Sequence, residues 1–272
     1  ADAKNMSAAE EDLAKKNRIY DYMLYIIVIL QFAMLYKFLN VIEQPYLQWW
    51  EIIGRVWSMG LLCGTFGINV GHELGHRVNK FEQALAKALL LTSLYMHFFI
   101  EHNKGHHKNV ATPQDPSSAR INEPVYTFYF RTIIFSYLSA WKIANDEMRK
   151  KGLSIFNIKN EMVQAHFIQL LFLVVILSAF SWAVTLYFLC AAAIGILLLE
   201  TVNYIEHYGL QRKQITEGKY ERALPEHSWN SNHILGRLML FELSRHSDHH
   251  YLASRKYQVL QHHDDAPQLP TG

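Results

Sequence analysis

Apolar and polar residues separate along this chain on the scale of whole segments rather than of helix turns. Met162 to Leu199 holds no Asp, Glu, Lys or Arg over 38 residues. One membrane crossing takes about 20 apolar residues, so this run predicts two helices with a break near Ser181-Trp182. Tyr20 to Leu39 is a further apolar segment with charges only near its ends, Asp21 and Lys37. Another runs from about Tyr46 to Gly71, with Glu51 and Arg55 near its start and then 16 uncharged residues. Tyr46, Trp49 and Trp50 at its head fit an interfacial aromatic belt. Helices of soluble bundles average about 11–12 residues and keep a polar stripe, which these segments lack. The pattern predicts an all-α, membrane-embedded helical bundle, a single domain over 1–272. Its spans are expected at about 20–39, 46–71, 163–181 and 183–203, with interfacial helices beside them.

Charge placement supports the membrane reading. If the first segment leaves the cytoplasm and the second returns, 24 of the 26 Lys and Arg fall inside, and Lys37 and Arg55 lie towards the outside. That is the positive-inside bias. Composition excludes other classes: 50% hydrophobic, 18% charged and a net charge of +2 describe neither a disordered chain nor a nucleic-acid binder. Two cysteines, Cys63 and Cys190, make no disulfide framework and are expected in the core. The charged first residues do not read as a signal peptide.

Histidine is the unusual component, with 15 residues. Nine of them fall in four groups: His72 and His76; His102, His106 and His107; His207; and His246, His249 and His250. The spacings i, i+3 and i, i+4 put side chains on one helical face, as metal ligands require. Imidazole suits Zn, Cu, Fe and Ni. Nine are too many for one ion and suit two, with four or five each. The acids Glu73, Glu101, Glu206 and Asp248 each adjoin one of these histidines. An i+1 side chain points about 100° away on a helix, so each is expected to steady an imidazole of another group. His97, His166, His227, His262 and His263 have no patterned partners. Asn232 and His233 are candidate outer partners of the metal site. Glu200 and Asn203 precede His207 on its own helical face; an acid inside a span is costly and is a functional candidate.

Two stretches need the histidines to place them. If Ala84–Ile100 crossed the bilayer, His102, His106 and His107 would lie across a core of about 30 Å from His72 and His76. The stretch is therefore expected to be interfacial or re-entrant, and Tyr126–Trp141, interrupted by Arg131, similar. Counting back from His72 along one face gives Ile68, Thr65, Leu61, Ser58 and Gly54, whose diminishing size predicts either a slot for an alkyl chain or a close helix seam.

His72-Glu-Leu-Gly-His76 alone fits the zinc-protease helix, but a protease needs one further ligand and leaves seven clustered histidines unexplained. Taken with Glu101-His-Asn-Lys-Gly-His-His107, Asn203-Tyr-Ile-Glu-His-Tyr-Gly209 and Arg245-His-Ser-Asp-His-His250, the sequence resembles the membrane alkane monooxygenase family of di-iron enzymes. Ser228-Trp-Asn-Ser-Asn-His233 is similar to family sequence as well. The resemblance covers nearly the whole chain. It implies terminal hydroxylation of medium-chain n-alkanes by O2 at two irons, with electrons from rubredoxin, in a bacterial inner membrane with the site on the cytoplasmic face. Zinc has no redox chemistry and could not attack an unactivated C–H bond. Lys104, Lys108, Arg120, Arg255 and Lys256 are expected to form a basic collar for the donor. Family members usually carry two further N-terminal spans and a longer C-terminus, so the chain resembles an excised core. Alternatives are a membrane fatty acid desaturase or hydroxylase and, more remotely, the protease or a metal transporter.

Overall fold

A computed structural model describes residues 3–270. Contacts divide the chain into two compact units. The first takes the segment up to Met23, His102–Ser136 and the segment from Glu200 on; the second takes Leu24–Glu101 and Tyr137–Leu199.

The chain, over the described residues, is mostly helical up to His207. After α1 (Ala8–Lys16) come α2 (Ile19–Ile42), α3 (Trp49–Leu62), a π-helical segment (Cys63–Ile68) and α4 (Asn69–Gly75). Then come α5 (Lys80–Leu91), α6 (Phe98–Glu101), a second π segment (His102–His106), α7 (His107–Asn109) and α8 (Val125–Lys150). α9 (Glu161–Ala179), α10 (Trp182–His207), a small hairpin β1 (Gln214–Thr216)/β2 (Lys219–Tyr220), α11 (Ile234–Met239) and α12 (His246–Tyr251) complete it.

Among the described residues three helices are long and apolar enough to cross a membrane: α2, α9 and α10. Phe167, Leu170, Leu171, Val174 and Val175 stand exposed on α9, a surface that water would penalise and hydrocarbon would not. The α9–α10 break falls where the sequence places it, with the Ser181 N–H donating to Glu43 Oε1 at 3.2 Å. The span expected over 46–71 begins at Trp49, where the Gln48 N–H donates to Glu51 Oε2 at 2.9 Å. It continues helically to Gly75 but is divided by the π turn at Cys63–Ile68.

Small residues bring this rod against α10 in the second unit. A Cβ on Gly60 would stand 2.5 Å from the Ile194 side chain, and one on Gly195 would stand 2.7 Å from Cys63. Cys63 is buried as expected; Cys190 is exposed on α10 instead, because that apolar run faces outward.

The stretch 84–100 is no single helix. α5 has 12 residues, about 18 Å at 1.5 Å per residue, well short of the bilayer core. It is followed by a turn in which Leu94 takes φ 52°. Residues 126–141 belong to the 26-residue α8, which is not among the helices long and apolar enough to cross a membrane. Arg131, the charge within that apolar stretch, turns its guanidinium to Glu123 Oε1 at 2.6 Å and to the Pro116 and Ser118 carbonyls.

Candidate metal centre

In the first unit His106, His207, His246 and His250 each offer a ring nitrogen, all within 4.8 Å of one another. All four are buried. Their Nε2 atoms converge: His250 to His246 at 2.9 Å, His106 to His250 at 3.2 Å, His246 to His207 at 3.2 Å. Beside them, His107 Nε2 lies 3.0 Å from His102 Nε2 and 3.1 Å from His249 Nε2. In the second unit His72 and His76 face each other at 3.1 Å through Nε2.

The local fold explains which histidine goes where. In α4 and α12, α-helical spacing aligns i and i+4, pairing His72 with His76 and His246 with His250. His102 and His106 lie ring beside ring, centroids 5.1 Å apart, but turn to different clusters. The chain there is π-helical, with i→i+5 hydrogen bonding, so His102 is brought over His107 and His106 turns to the other cluster. His249, next to His250, faces His107 instead.

The donor set fits a transition-metal cation. Two facing imidazoles can share one proton, but four buried around one point leave lone pairs opposed, which a cation relieves. Burial favours the neutral, ligating form of the rings of His107, His246 and His250. Burial, and then the neighbouring imidazoles, push His246 and His250 well below the usual histidine range. Burial and then His106 bring His107 down to about 3. On the outer nitrogen of His106, Nδ1 meets Asp115 Oδ2 at 2.9 Å. That contact turns the His106 Nε2 lone pair inward.

Asp115 escaped the reading by spacing, because it comes from the loop after the second histidine group, between Pro113 and Pro116. It also accepts from the Ser117 N–H at 3.1 Å and the Ser118 hydroxyl at 2.5 Å. The acids beside the histidines divide. Glu206 reaches His246 of another group, Oε2 to Nε2 at 3.3 Å. That is the nitrogen facing the cluster, so the carboxylate stands at the cluster's edge rather than behind a ring. Glu73 is buried against Arg77 at 2.6 Å. A zinc protease needs this glutamate turned to a metal-bound water, and here it is held by a cation. Glu101 is buried next to His102. Asp248 serves no clustered histidine; it takes Arg255 at 2.9 Å, His263 at 2.7 Å and the Gln261 N–H at 2.9 Å. These contacts pin α12 to the C-terminal segment.

Glu200 and Asn203 are both buried. Glu200 Oε2 accepts from Thr132 Oγ1 at 2.9 Å and from Asn203 Nδ2 at 3.2 Å. The Ser117 hydroxyl, 3.3 Å from those of Thr132 and Ser136, extends this network. Asn232 is not an outer partner of the clusters: its amide reaches His262 at 2.8 Å and Gln268 at 3.1 Å. His233 is the N-cap residue of α11, outside the clusters. The braces in that motif are residues whose spacing carried no signal. Asn230 accepts from the Ser247 hydroxyl of α12 at 3.1 Å. Trp229 ties to the end of α10 through the Glu206 and Tyr208 carbonyls, at 2.8 and 3.0 Å. The basic collar is partly neutralised, because Arg255 pairs with Asp248 and Lys256 with Asp21.

Two sequence comparisons bear on this site. The sequence model described as fatty acid desaturase matches residues 47–271, a stretch holding all four histidine groups. The chain belongs to the fatty acid desaturase family. Its sequence is similar to those of alkane monooxygenases. It is 45% identical to alkane 1-monooxygenase 1 of Pseudomonas aeruginosa over 82% of its own length and 59% of the relative's. It is 40% identical to alkane 1-monooxygenase of Ectopseudomonas oleovorans over 95% and 64%. The xylene/toluene monooxygenase hydroxylase component of Pseudomonas putida is 27% identical over 81% and 58%. The chain thus spans about three fifths of the length of the curated relatives it matches.

Proposed function

We propose that the chain is the catalytic core of a membrane alkane monooxygenase that hydroxylates the terminal carbon of medium-chain n-alkanes, with O2 as oxidant and rubredoxin as electron donor. The observation that carries this is the convergence of histidine Nε2 atoms into two sets, one of them four fully buried rings. One iron is assigned to His106, His207, His246 and His250. The other is assigned to His102, His107 and His249; His72 and His76 are the further histidines that the spacing offers to the pair of irons. Bound there, the two irons supply the redox capacity to activate O2 against a C–H bond, which the protein's own side chains lack. The residues' part is to hold the rings: Asp115 through His106, Trp229 through the end of α10, Asn230 through Ser247. Glu200 and Asn203 position the α8 hydroxyls beside the helix that ends in His207.

The expected result with purified, lipid-embedded protein is about two irons per chain and conversion of octane to 1-octanol when O2 and reduced rubredoxin are supplied. Desaturation of an acyl-CoA with no octanol formed would overturn the alkane reading in favour of a desaturase. One zinc per chain would overturn the iron assignment.

The substrate slot is assigned to a cavity of about 460 Å³ in the second unit. Met34, Phe38, Gly54, Ser58 and Met59 line it, together with the charged Lys37, Glu51 and Arg55. Only Gly54 and Ser58 of the five expected positions take part. Leu61 points outward, half exposed, Thr65 bonds its hydroxyl to the Leu61 carbonyl at 2.8 Å, and Ile68 is fully buried elsewhere. The π turn at Cys63–Ile68 departs from the straight helix on which the count from His72 rests. A Cβ on Gly54 would meet nothing within 4 Å among the described residues, so a close seam does not explain this glycine as it explains Gly60. Gly54→Leu should therefore fold normally and shorten the slot. The ratio of hexadecane to octane turnover should fall at least about tenfold, the scale of pocket discrimination by a few methylenes. An unchanged ratio would remove the cavity from the substrate path.

A further inference from the structure

The segment 231–244 forms a lobe whose two ends are joined, the Ser231 N–H donating to the Ser244 carbonyl at 2.8 Å. α11 lies at its outer side. Ile234, Leu235, Leu238 and Met239 are 62%, 73%, 69% and 52% exposed, and their spacing puts them along one face of the helix. The lobe's polar groups are turned inward: Arg237 Nε donates to Glu242 Oε2 at 2.6 Å, and Glu242 lies 3.9 Å from the buried Arg245 guanidinium. Phe241 and Glu242 take φ of 53° and 60°, a left-handed turn that non-glycine residues adopt at some cost. That turn lets the chain double back to α12 while α11 stays outside.

What covers this face is indicated by its neighbours in the same unit. The Phe241 ring meets Tyr257 edge-on at 5.9 Å, and Tyr257 meets Tyr20 at 6.0 Å. The Tyr257 hydroxyl also donates to the Tyr20 carbonyl at 3.1 Å. Tyr20 opens α2, a helix long and apolar enough to cross a membrane. Around it Ile19, Tyr22 and Met23 are exposed in the same way. The lobe is thus fastened at the level where a membrane-spanning helix enters its bilayer. An exposed apolar helix at that level, with an aromatic rung beneath it, has the character of an interfacial helix.

We propose that α11 is a lipid anchor: Ile234, Leu235, Leu238 and Met239 insert among the acyl chains at the membrane surface. By the chain's own connectivity it holds the turn that leads into α12, and with it His246, His249 and His250, at the level of the bilayer. Anchoring of this kind does not depend on the substrate and electron donor assigned above.

The test uses the whole protein in nanodiscs, in a Cys190→Ser background so that the buried Cys63 is the remaining native thiol. Leu235→Cys and Leu238→Cys, each labelled with an environment-sensitive fluorophore, are compared with Ile26→Cys on the exposed face of α2 and Gln214→Cys on the exposed hairpin. With lipids brominated near the headgroup, quenching at 235 and 238 is expected to exceed that at 214 by more than twofold and to approach that at 26. Quenching no greater than at 214 at both positions overturns the proposal. So does emission that shifts to the blue only when a disc holds two copies, since the face would then be a contact between chains. Two labelled positions keep the test alive if one variant folds poorly, and bound-iron content serves as a separate check on folding.

Discussion

Replacing His207 with alanine should reduce bound iron from about two to about one per chain and lower hydroxylation by more than about 100-fold, beyond what loss of an outer partner costs. His207 is the last residue of α10 and fully buried. Its Nε2 is 3.2 Å from that of His246. Its ring centroid is 4.8 Å from that of His106 and 4.9 Å from that of His250. No neighbour in its own group can take its place, and the end of α10 is held by Trp229 on the Glu206 and Tyr208 carbonyls. The helix end therefore cannot shift to bring another donor in. Deleting a buried ring also destabilises, by roughly 1–3 kcal/mol as for other core truncations. His207→Gln, which retains volume without the imidazole, separates the two effects. Iron by elemental analysis and octanol by gas chromatography are the measurements. Full iron and full activity in both variants would remove His207 from the metal set.

Asp115→Asn is expected to weaken iron retention or turnover by about 10–100-fold, the range seen when a ligand histidine loses its outer acceptor. The carboxylate holds His106 Nδ1 at 2.9 Å in a fully buried site. Asparagine keeps the shape and can still accept from the Ser117 N–H, but its neutral oxygen is a poorer acceptor for the imidazole N–H, and its amide can present a donor instead. Ser118→Ala, which removes a neighbouring hydroxyl from the same carboxylate, should be mild by comparison. The decisive measurement is a chelator titration of iron beside steady-state octane turnover. Equal losses in Asp115→Asn and Ser118→Ala would mean that the loop, not the contact with His106, matters.

Much of this site was legible before folding. Histidine recurs at metal-ligand spacing in four places, and the chemistry of nine imidazoles, two ions with four or five ligands each, needs no coordinates. The long apolar runs carry their own signal, because a helix that faces hydrocarbon has no polar stripe; the Ser181 break and the α9–α10 pair came from that alone. What spacing could not show was the partition of ligands. Whether residue i meets i+4 or i+5 depends on a π turn, and the sequence Glu101-His-Asn-Lys-Gly-His-His107 does not announce one. A second π turn, at Cys63–Ile68, changes the register of the count from His72 and was equally silent in the sequence.

Residue types and their intervals were enough for the segment pattern, the metal-binding chemistry and the family, because each interval is short enough for one helix to span. Which acids serve the site emerged only on folding. Asp115 reaches His106 from a loop, Asp248 turns to Arg255 and His263, and Glu73 turns to Arg77. So did the contrast between Gly54, which borders open space, and Gly60, which is pressed on Ile194. A carboxylate's partner and a glycine's surroundings depend on which distant segment arrives beside them, and packing sets that rather than the local sequence.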